Sequence, residues 1–232
     1  MGIIRESGGR TEEAEQTPHP PNPNRRQPSW LARALLAGGT TGNERLTALT
    51  GVLLIALLAA LGITILRIRP LLNIHMFLGI VLIGPLALKL GSTGYRFVRY
   101  YTANPRYRRK GPPPAYLRLL APGVVLSTVV VFSSGVALLL IGPSSRGALL
   151  GIHKVSFIVW SAFTGVHVLG HLADLQRALR PSNVPQYEHY APGRAGRIIS
   201  VSSALVAGVL LAILAEPRFA AWIHADRLPR IH

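Results

Sequence analysis

Five long apolar blocks constrain the fold of this 232-residue chain more than any other feature of its sequence. Each block is about as long as the roughly 20 residues that a helix needs to cross a membrane. They cover residues 46–66, 71–92, 119–142, 149–172 and 198–215. The pattern predicts an all-α integral membrane protein with a five-helix transmembrane bundle over residues 44–216.

The segments outside this bundle are short. Residues 1–43 are rich in proline and predict a disordered cytoplasmic tail, in which Ser29 and Trp30 begin a short helix on the membrane surface. Residues 217–232 predict a short external tail, with Trp222 in an outer aromatic belt. Tyrosines after the second block predict the inner belt: Tyr95, Tyr100, Tyr101 and Tyr107.

The net charge of +16 indicates how the chain is oriented. Its arginines concentrate in two connections that lie on the same side as the amino tail, after the second and fourth blocks. The positive-inside rule makes that side cytoplasmic. We therefore expect a bacterial plasma-membrane protein that contacts lipid, and no nucleic acid partner. Arginine-rich, lysine-poor usage is typical of a high-GC bacterium.

Histidines are the unusual residues inside the blocks, where ionisable groups are costly. The second block carries His75, and the fourth carries His153, His167 and His171. These two spans run in the same direction. Because His75 and His153 each lie four residues after the start of their block, both are expected near the outer face at one depth.

Two neutral imidazoles at one depth can ligate a haem iron from both sides. Gly79, one turn below His75, would let a flat macrocycle approach the backbone. Four cations near this level could pair with haem propionates: Arg67, Arg69, Arg146 and Lys154. The alternative is that each histidine is an interfacial residue bonded to its neighbours. The lack of cysteine excludes disulfides and covalent c-type haem attachment.

A second level lies 14 residues further along both helices, which is roughly 21 Å deeper and within about 40° of the same face. It pairs Lys89 with His167. Lys89 could ligate iron, anchor a propionate or a quinone head group, serve a proton path, or snorkel to the interface. His171 could replace His167 as a ligand, bind a propionate, or lie at the interface near Asp174. We favour one haem b and leave a second, on His167, open.

The residues around these histidines resemble those of membrane cytochrome b subunits. The matching segments are Asn73–Gly79, Gly151–Lys154 and Gly165–His171. Related proteins include the haem subunits of formate dehydrogenases and nickel–iron hydrogenases, cytochrome b561-like proteins and ferric-reductase-like transmembrane domains. The resemblance covers the first four spans and implies a four-helix core with one or two haems b. The chain departs from the two-haem pattern because span one lacks histidine and Lys89 replaces a fourth ligand.

The resemblance implies an electron-transfer component of an oxidoreductase rather than a self-contained enzyme. Electrons would pass between an extracytoplasmic partner or membrane quinone and a redox partner subunit. The alternative is a proton, ion or metal transporter that uses Lys89, His167 and His171. His167 and His171 have the spacing of a zinc-binding pair, although Asp174 is the only nearby carboxylate. A scaffold with a basic inner loop is a third class, which leaves the paired histidines unexplained.

Overall fold

The computed structural model describes residues 39–102, 115–179 and 193–227. Four expectations concern residues outside this part of the chain: most of the disordered tail, its surface helix, Tyr107 and most of the basic loop. The described residues form helices and contain no strand. In chain order these are α1 Gly39–Leu66, α2 Ile68–Val81, α3 Ile83–Tyr101, α4 Ala115–Ile141, α5 Gly147–Leu179, α6 Arg194–Ala215 and α7 Phe219–Arg227.

Five segments of these helices are long and apolar enough to cross a membrane. They are Gly42–Leu66, Ile68–Tyr101, Arg118–Ile141, Gly147–Leu172 and Arg194–Ala225. This confirms the predicted all-α architecture with five apolar spans. A single residue, Arg67, separates α1 from α2. Residues 68–70, which with Arg67 connect the first two apolar blocks, form the first turn of α2. Gly142, at φ 78°, ends α4 before a 3₁₀ turn, Pro143–Ser145, leads into α5.

The second span is two helices that meet at Leu82, rather than the one continuous helix that its hydropathy suggested. Pro85 explains the break. Proline has no N–H to donate to the Val81 carbonyl four residues earlier, and its ring crowds that carbonyl. The Leu82 N–H still bonds to the Leu78 carbonyl, and the Leu86 N–H bonds to the Leu82 carbonyl, both at 3.0 Å, so the two helices remain one span across this break.

The fifth span, α6, packs against this break. A Cβ on Gly84 would overlap the Ala204 carbonyl of α6, and a Cβ on Gly208 would overlap the Val81 carbonyl. The two backbones therefore touch where small residues face each other, as is common between membrane helices. This contact places the span that the four-helix resemblance left unassigned.

The helices form two groups. In the first, α6 packs against α2, α3 and α1, and α1 packs against α2 and α3. In the second, α4 and α5 form an extensive antiparallel hairpin. Direct contacts between the groups are sparse and run mainly from α1 to α5 and from α2 to α4. The two groups are therefore much less closely packed against each other than the helices within either group are.

Polar and apolar residues are distributed as expected for a bundle in lipid. Hydroxyl side chains are among the most buried residues of the described helices: Thr50, Thr64, Ser92, Ser127, Thr128, Ser134 and Ser156. Most bond to a carbonyl of their own helix, as Thr50 does to Leu46 and Ser127 to Gly123. Large aliphatic residues such as Leu126 and Ile158 are exposed. That exterior suits acyl chains.

The expected external tail begins with structure rather than coil. A 3₁₀ turn, Glu216–Arg218, follows α6 and leads into α7. Phe219 and Trp222 of α7 are buried at 1% and 9% exposure. Trp222 therefore packs inside the protein instead of lying in an interface belt. At the other end, Tyr95 and Tyr101 are exposed, as the inner belt requires.

Candidate functional site

His75, on α2, is fixed by a hydroxyl of the preceding helix. Its Nδ1 lies 2.9 Å from Thr64 Oγ1. The Thr64 hydroxyl donates its proton to the Leu61 carbonyl at 2.6 Å, so it can only accept from the histidine. Nδ1 therefore carries the imidazole proton in this arrangement. The neutral ring then keeps a free electron pair on Nε2, the state that a metal ligand needs.

His153, on α5, is fixed in the same way by α4. Its Nδ1 lies 3.1 Å from the Val131 carbonyl and 3.0 Å from Ser134 Oγ. A carbonyl only accepts, and the Ser134 hydroxyl itself donates to Val131 at 3.0 Å. Nδ1 is again the donor, which leaves the Nε2 electron pair free. The ring packs on Gly135, where a Cβ would come within 3.1 Å of its Cε1.

The two imidazoles are brought together across the boundary between the helix groups. Each is held by its own hairpin, yet His75 and His153 lie close enough for their charges to interact. Both rings are partly buried. Beside them, Gly79 has no atom within 4 Å of the place a Cβ would take, so the backbone there is open. The site thus has one imidazole from each helix group, each with a free Nε2 electron pair, and an open glycine one turn from His75.

Lys89, at the deeper level, is held inside the helix group instead of extending to the interface. Its Nζ donates to the Thr47 carbonyl of α1 at 2.8 Å and packs against Gly51. Thr47 and Ser92 add a hydroxyl pair beside it, 3.3 Å apart. Lys89 lies within electrostatic range of His167, so these two residues are brought together as the 14-residue spacing suggested.

His167 differs from the two outer histidines. Its Nδ1 is buried and has no hydrogen-bond partner among the described residues, and the same holds for the Thr164 hydroxyl one turn earlier. The ring contacts that of His171 edge-on, with centroids 4.7 Å apart. No acceptor fixes its tautomer as Thr64 and Val131 do for the outer pair. The second level is therefore polar but less organised for holding a metal.

The expected propionate partners differ in exposure. Arg67, Arg69 and Lys154 are exposed, and Arg146 is partly buried. Within the described ranges, no group of three or more His, Cys, Asp or Glu side chains could hold a metal ion by itself. The side chain of Asp174, the only carboxylate offered for a zinc site, lies outside the described part.

Four residues that orient the histidines were missed from the sequence: Thr64, Val131, Ser134 and Gly135. What these residues share is that each lies opposite a histidine on the neighbouring helix of a short hairpin. Ser134 lies eight residues before Gly142, and His153 lies eight residues after Ser145. A hydroxyl or glycine at such a mirrored position could have been noted, but a backbone carbonyl such as that of Val131 leaves no trace in sequence.

In comparisons with known proteins, no family model matches this chain, no curated protein matches it, and no solved structure matches it. The fold and the candidate site therefore rest on the chain's own residues. At this level the protein is a helical bundle with the architecture of a multi-pass membrane protein.

Proposed function

We propose that this protein is a membrane b-type cytochrome that carries electrons through one haem b, which His75 and His153 would hold. The single observation that carries the proposal is the state of the two imidazoles. Each has Nδ1 committed as a hydrogen-bond donor within its own hairpin. Both Nε2 atoms are thus left free as electron-pair donors, on one histidine from each helix group.

The residues around the two imidazoles also support haem binding. Two neutral imidazoles are a common ligand pair for low-spin haem, and second-shell acceptors on Nδ1 set ring orientation and ligand basicity. Thr64 and Val131 are those acceptors here. Gly79 leaves open backbone for a planar group. When bound, haem b supplies a one-electron carrier. The chain's residues hold it, exclude water from it and set its potential.

The two levels of polar residues, one near each end of the bundle, suggest two different electron partners. The outer histidine pair would exchange electrons with an extracytoplasmic redox protein or a partner subunit. At the inner level, Lys89 retains two N–H donors beyond its bond to Thr47, and they would serve a quinone carbonyl. No catalytic constellation is proposed for the chain, which would act as the electron-carrying component of an oxidoreductase.

The test is haem content in purified protein from haem-replete cells. The unmodified chain should be red, with a reduced-minus-oxidised spectrum of low-spin bis-histidine haem and one haem per chain by pyridine haemochrome. His75→Ala and His153→Ala should each abolish this haem. His224→Ala is the matched control, since this exposed histidine on α7 should leave the spectrum unchanged. A colourless unmodified protein would refute the proposal.

The inner polar cluster supports a second candidate, a proton or ion transporter. Thr164 and His167 present buried polar atoms without partners among the described residues, next to the internal cation Lys89. Such groups mark ion pathways in membranes. This candidate requires a protein that is colourless yet conducts protons or ions in reconstituted vesicles, with conduction lost in Lys89→Met. A red protein without such conduction excludes it.

A further inference from the structure

Three arginines from two helices come together at the end of the bundle that the charge pattern predicts to be cytoplasmic. Arg194 and Arg197 lie in the first turn of α6, and Arg45 lies in the second turn of α1. The two helices pack against each other, and both begin at this end. Arg197 lies within electrostatic range of both Arg45 and Arg194. Three positive charges therefore share one place where these two spans begin.

This arrangement carries three electrostatic costs, and a bound anion lowers each of them. The like charges repel each other. Arg197 is only 9% exposed, and burial makes a charge more costly. The first turn of α6 has no acidic residue, and the partial positive charge of a helix N-terminus disfavours cations there. Among the side chains described at this end, Glu44 is the only carboxylate, and it pairs with Arg96 of α3 at 3.8 Å. The local charge is therefore strongly positive.

Exposed aliphatic side chains lie one helical turn further into the membrane. Leu49 follows Arg45 by four residues, and Ile198 follows Arg194 by four, so each shares a helix face with its arginine. Both aliphatic residues are exposed. Arg194 is exposed and Arg45 is partly buried, so a ligand can reach them from the surface. Cations at the end of the spans and hydrocarbon below them match the order of phosphate and acyl chains in a phospholipid.

We propose that Arg45, Arg194 and Arg197 bind the phosphate of an anionic phospholipid, whose acyl chains lie along Leu49 and Ile198. The planar guanidinium of arginine suits phosphate oxygens. Basic sites between membrane helices on the cytoplasmic side are typical places for anionic headgroups. A zwitterionic headgroup would bring a further positive charge to the cluster, and a soluble phosphate would gain nothing from the aliphatic residues. This lipid site goes beyond the proposed function and does not depend on haem.

The test is a titration of dioleoylphosphatidylglycerol into the purified full chain in neutral detergent, followed by native mass spectrometry. The unmodified chain should retain one lipid. The double variant Arg45→Gln with Arg194→Gln should bind it about 30-fold more weakly, because each arginine near a headgroup contributes about 5-fold. Arg197 is left unchanged, since a buried charge also contributes to the fold.

The matched control is the double variant Arg99→Gln with Arg118→Gln. It removes the same charge from the same end of the bundle, but Arg99 lies over the Tyr95 ring and Arg118 bonds to the Tyr101 hydroxyl. Salt at 0.15 M screens charges beyond about 8 Å, so this variant should lose less than about 2-fold in lipid affinity. Thermal unfolding without lipid checks that both variants fold. Equal losses of affinity in the two double variants would overturn the site.

Two further ligands distinguish a lipid site from a site for soluble phosphate. Dioleoylphosphatidylcholine has the same chains and should bind about 10-fold more weakly or worse, because its choline adds a positive charge. Glycerol 3-phosphate has the headgroup charge without chains and should not displace the lipid. With the unmodified chain alone, phosphatidylglycerol should raise the unfolding midpoint and phosphatidylcholine should not. Equal binding of the two lipids, or glycerol 3-phosphate binding as tightly as phosphatidylglycerol, would refute the proposal and leave the haem proposal untouched.

Discussion

The role of each histidine is decided by what its Nδ1 contacts. Of His75, His153 and His167, only the first two have an acceptor opposite Nδ1 among the described residues. His75 and His153 have Thr64 and Val131, whereas the Nδ1 of His167 is buried without a partner among the described residues. Spacing alone treats His153 and His167 as equivalent, and the hydrogen bonds distinguish them.

Thr64 should therefore strengthen haem binding indirectly, by holding the His75 ring in place. Thr64→Val keeps the shape but leaves the His75 Nδ1–H without an acceptor, and loss of such a second-shell bond should cost about 10-fold or more in haem affinity. Thr50→Val is the matched control, because this buried hydroxyl of the same helix bonds only to its own Leu46 carbonyl. Haem titration of the two apoproteins measures the difference. Equal affinities would contradict the role of Thr64.

His167 should be dispensable for haem. Because no acceptor fixes its ring, His167→Ala should keep one haem per chain and an unchanged low-spin spectrum, measured by pyridine haemochrome and difference spectroscopy. His153→Ala, on the same helix, is the comparison that loses the haem. A drop from two haems to one in His167→Ala would instead establish a second haem at the inner level.

At the scale of elements, the break between α2 and α3 and the docking of α6 occur at the same place. Pro85 breaks the helix. Gly84 lets the α3 backbone approach the Ala204 carbonyl of α6, and Gly208 lets the α6 backbone approach the Val81 carbonyl of α2. Hydropathy sees one apolar block here. A hydropathy profile does not register the close helix crossing, which depends on Gly84, Pro85 and Gly208. Gly208 lies more than 120 residues after the other two.

Two glycines of α3 provide a direct test of this crossing. Gly84→Ala adds a methyl group where the Ala204 carbonyl already lies, and it should destabilise the protein by about 1–3 kcal/mol. Gly91→Ala, on the same helix with no atom near its Cβ position, should be neutral or stabilising by up to about 1 kcal/mol. Thermal unfolding in detergent compares them. Similar midpoints for both variants would show that α3 and α6 do not touch at Gly84.

At the scale of the whole molecule, the charge distribution predicts the orientation, and the candidate site lies where the two helix groups meet. The described arginines at the end of α3 and the start of α6 lie at one end of the bundle, and the turn between α4 and α5 lies at the other. The positive-inside rule assigns the arginine-rich end to the cytoplasm. The histidine pair is then closer to the external face.

The lack of cysteine makes this orientation simple to test. Ser145→Cys, in the exposed turn before α5, should react with a membrane-impermeant maleimide in intact cells. Thr102→Cys, exposed at the opposite end after α3, should react only after the cells are opened. The cysteine-free parent is the control for background labelling. The reverse pattern would invert the topology and place the proposed haem site near the cytoplasm.

The sequence by itself determined the five apolar spans, because burial in lipid requires long uninterrupted apolar helices and leaves a signal at every position. It also paired His75 with His153 and Lys89 with His167, since depth follows from counting residues along parallel helices. Only the tertiary structure decided which side chains orient the imidazoles, where α6 docks, and that Phe219 and Trp222 of α7 are buried. Those features depend on contacts between residues far apart in the chain, often through backbone carbonyls, which every residue possesses and no sequence pattern marks.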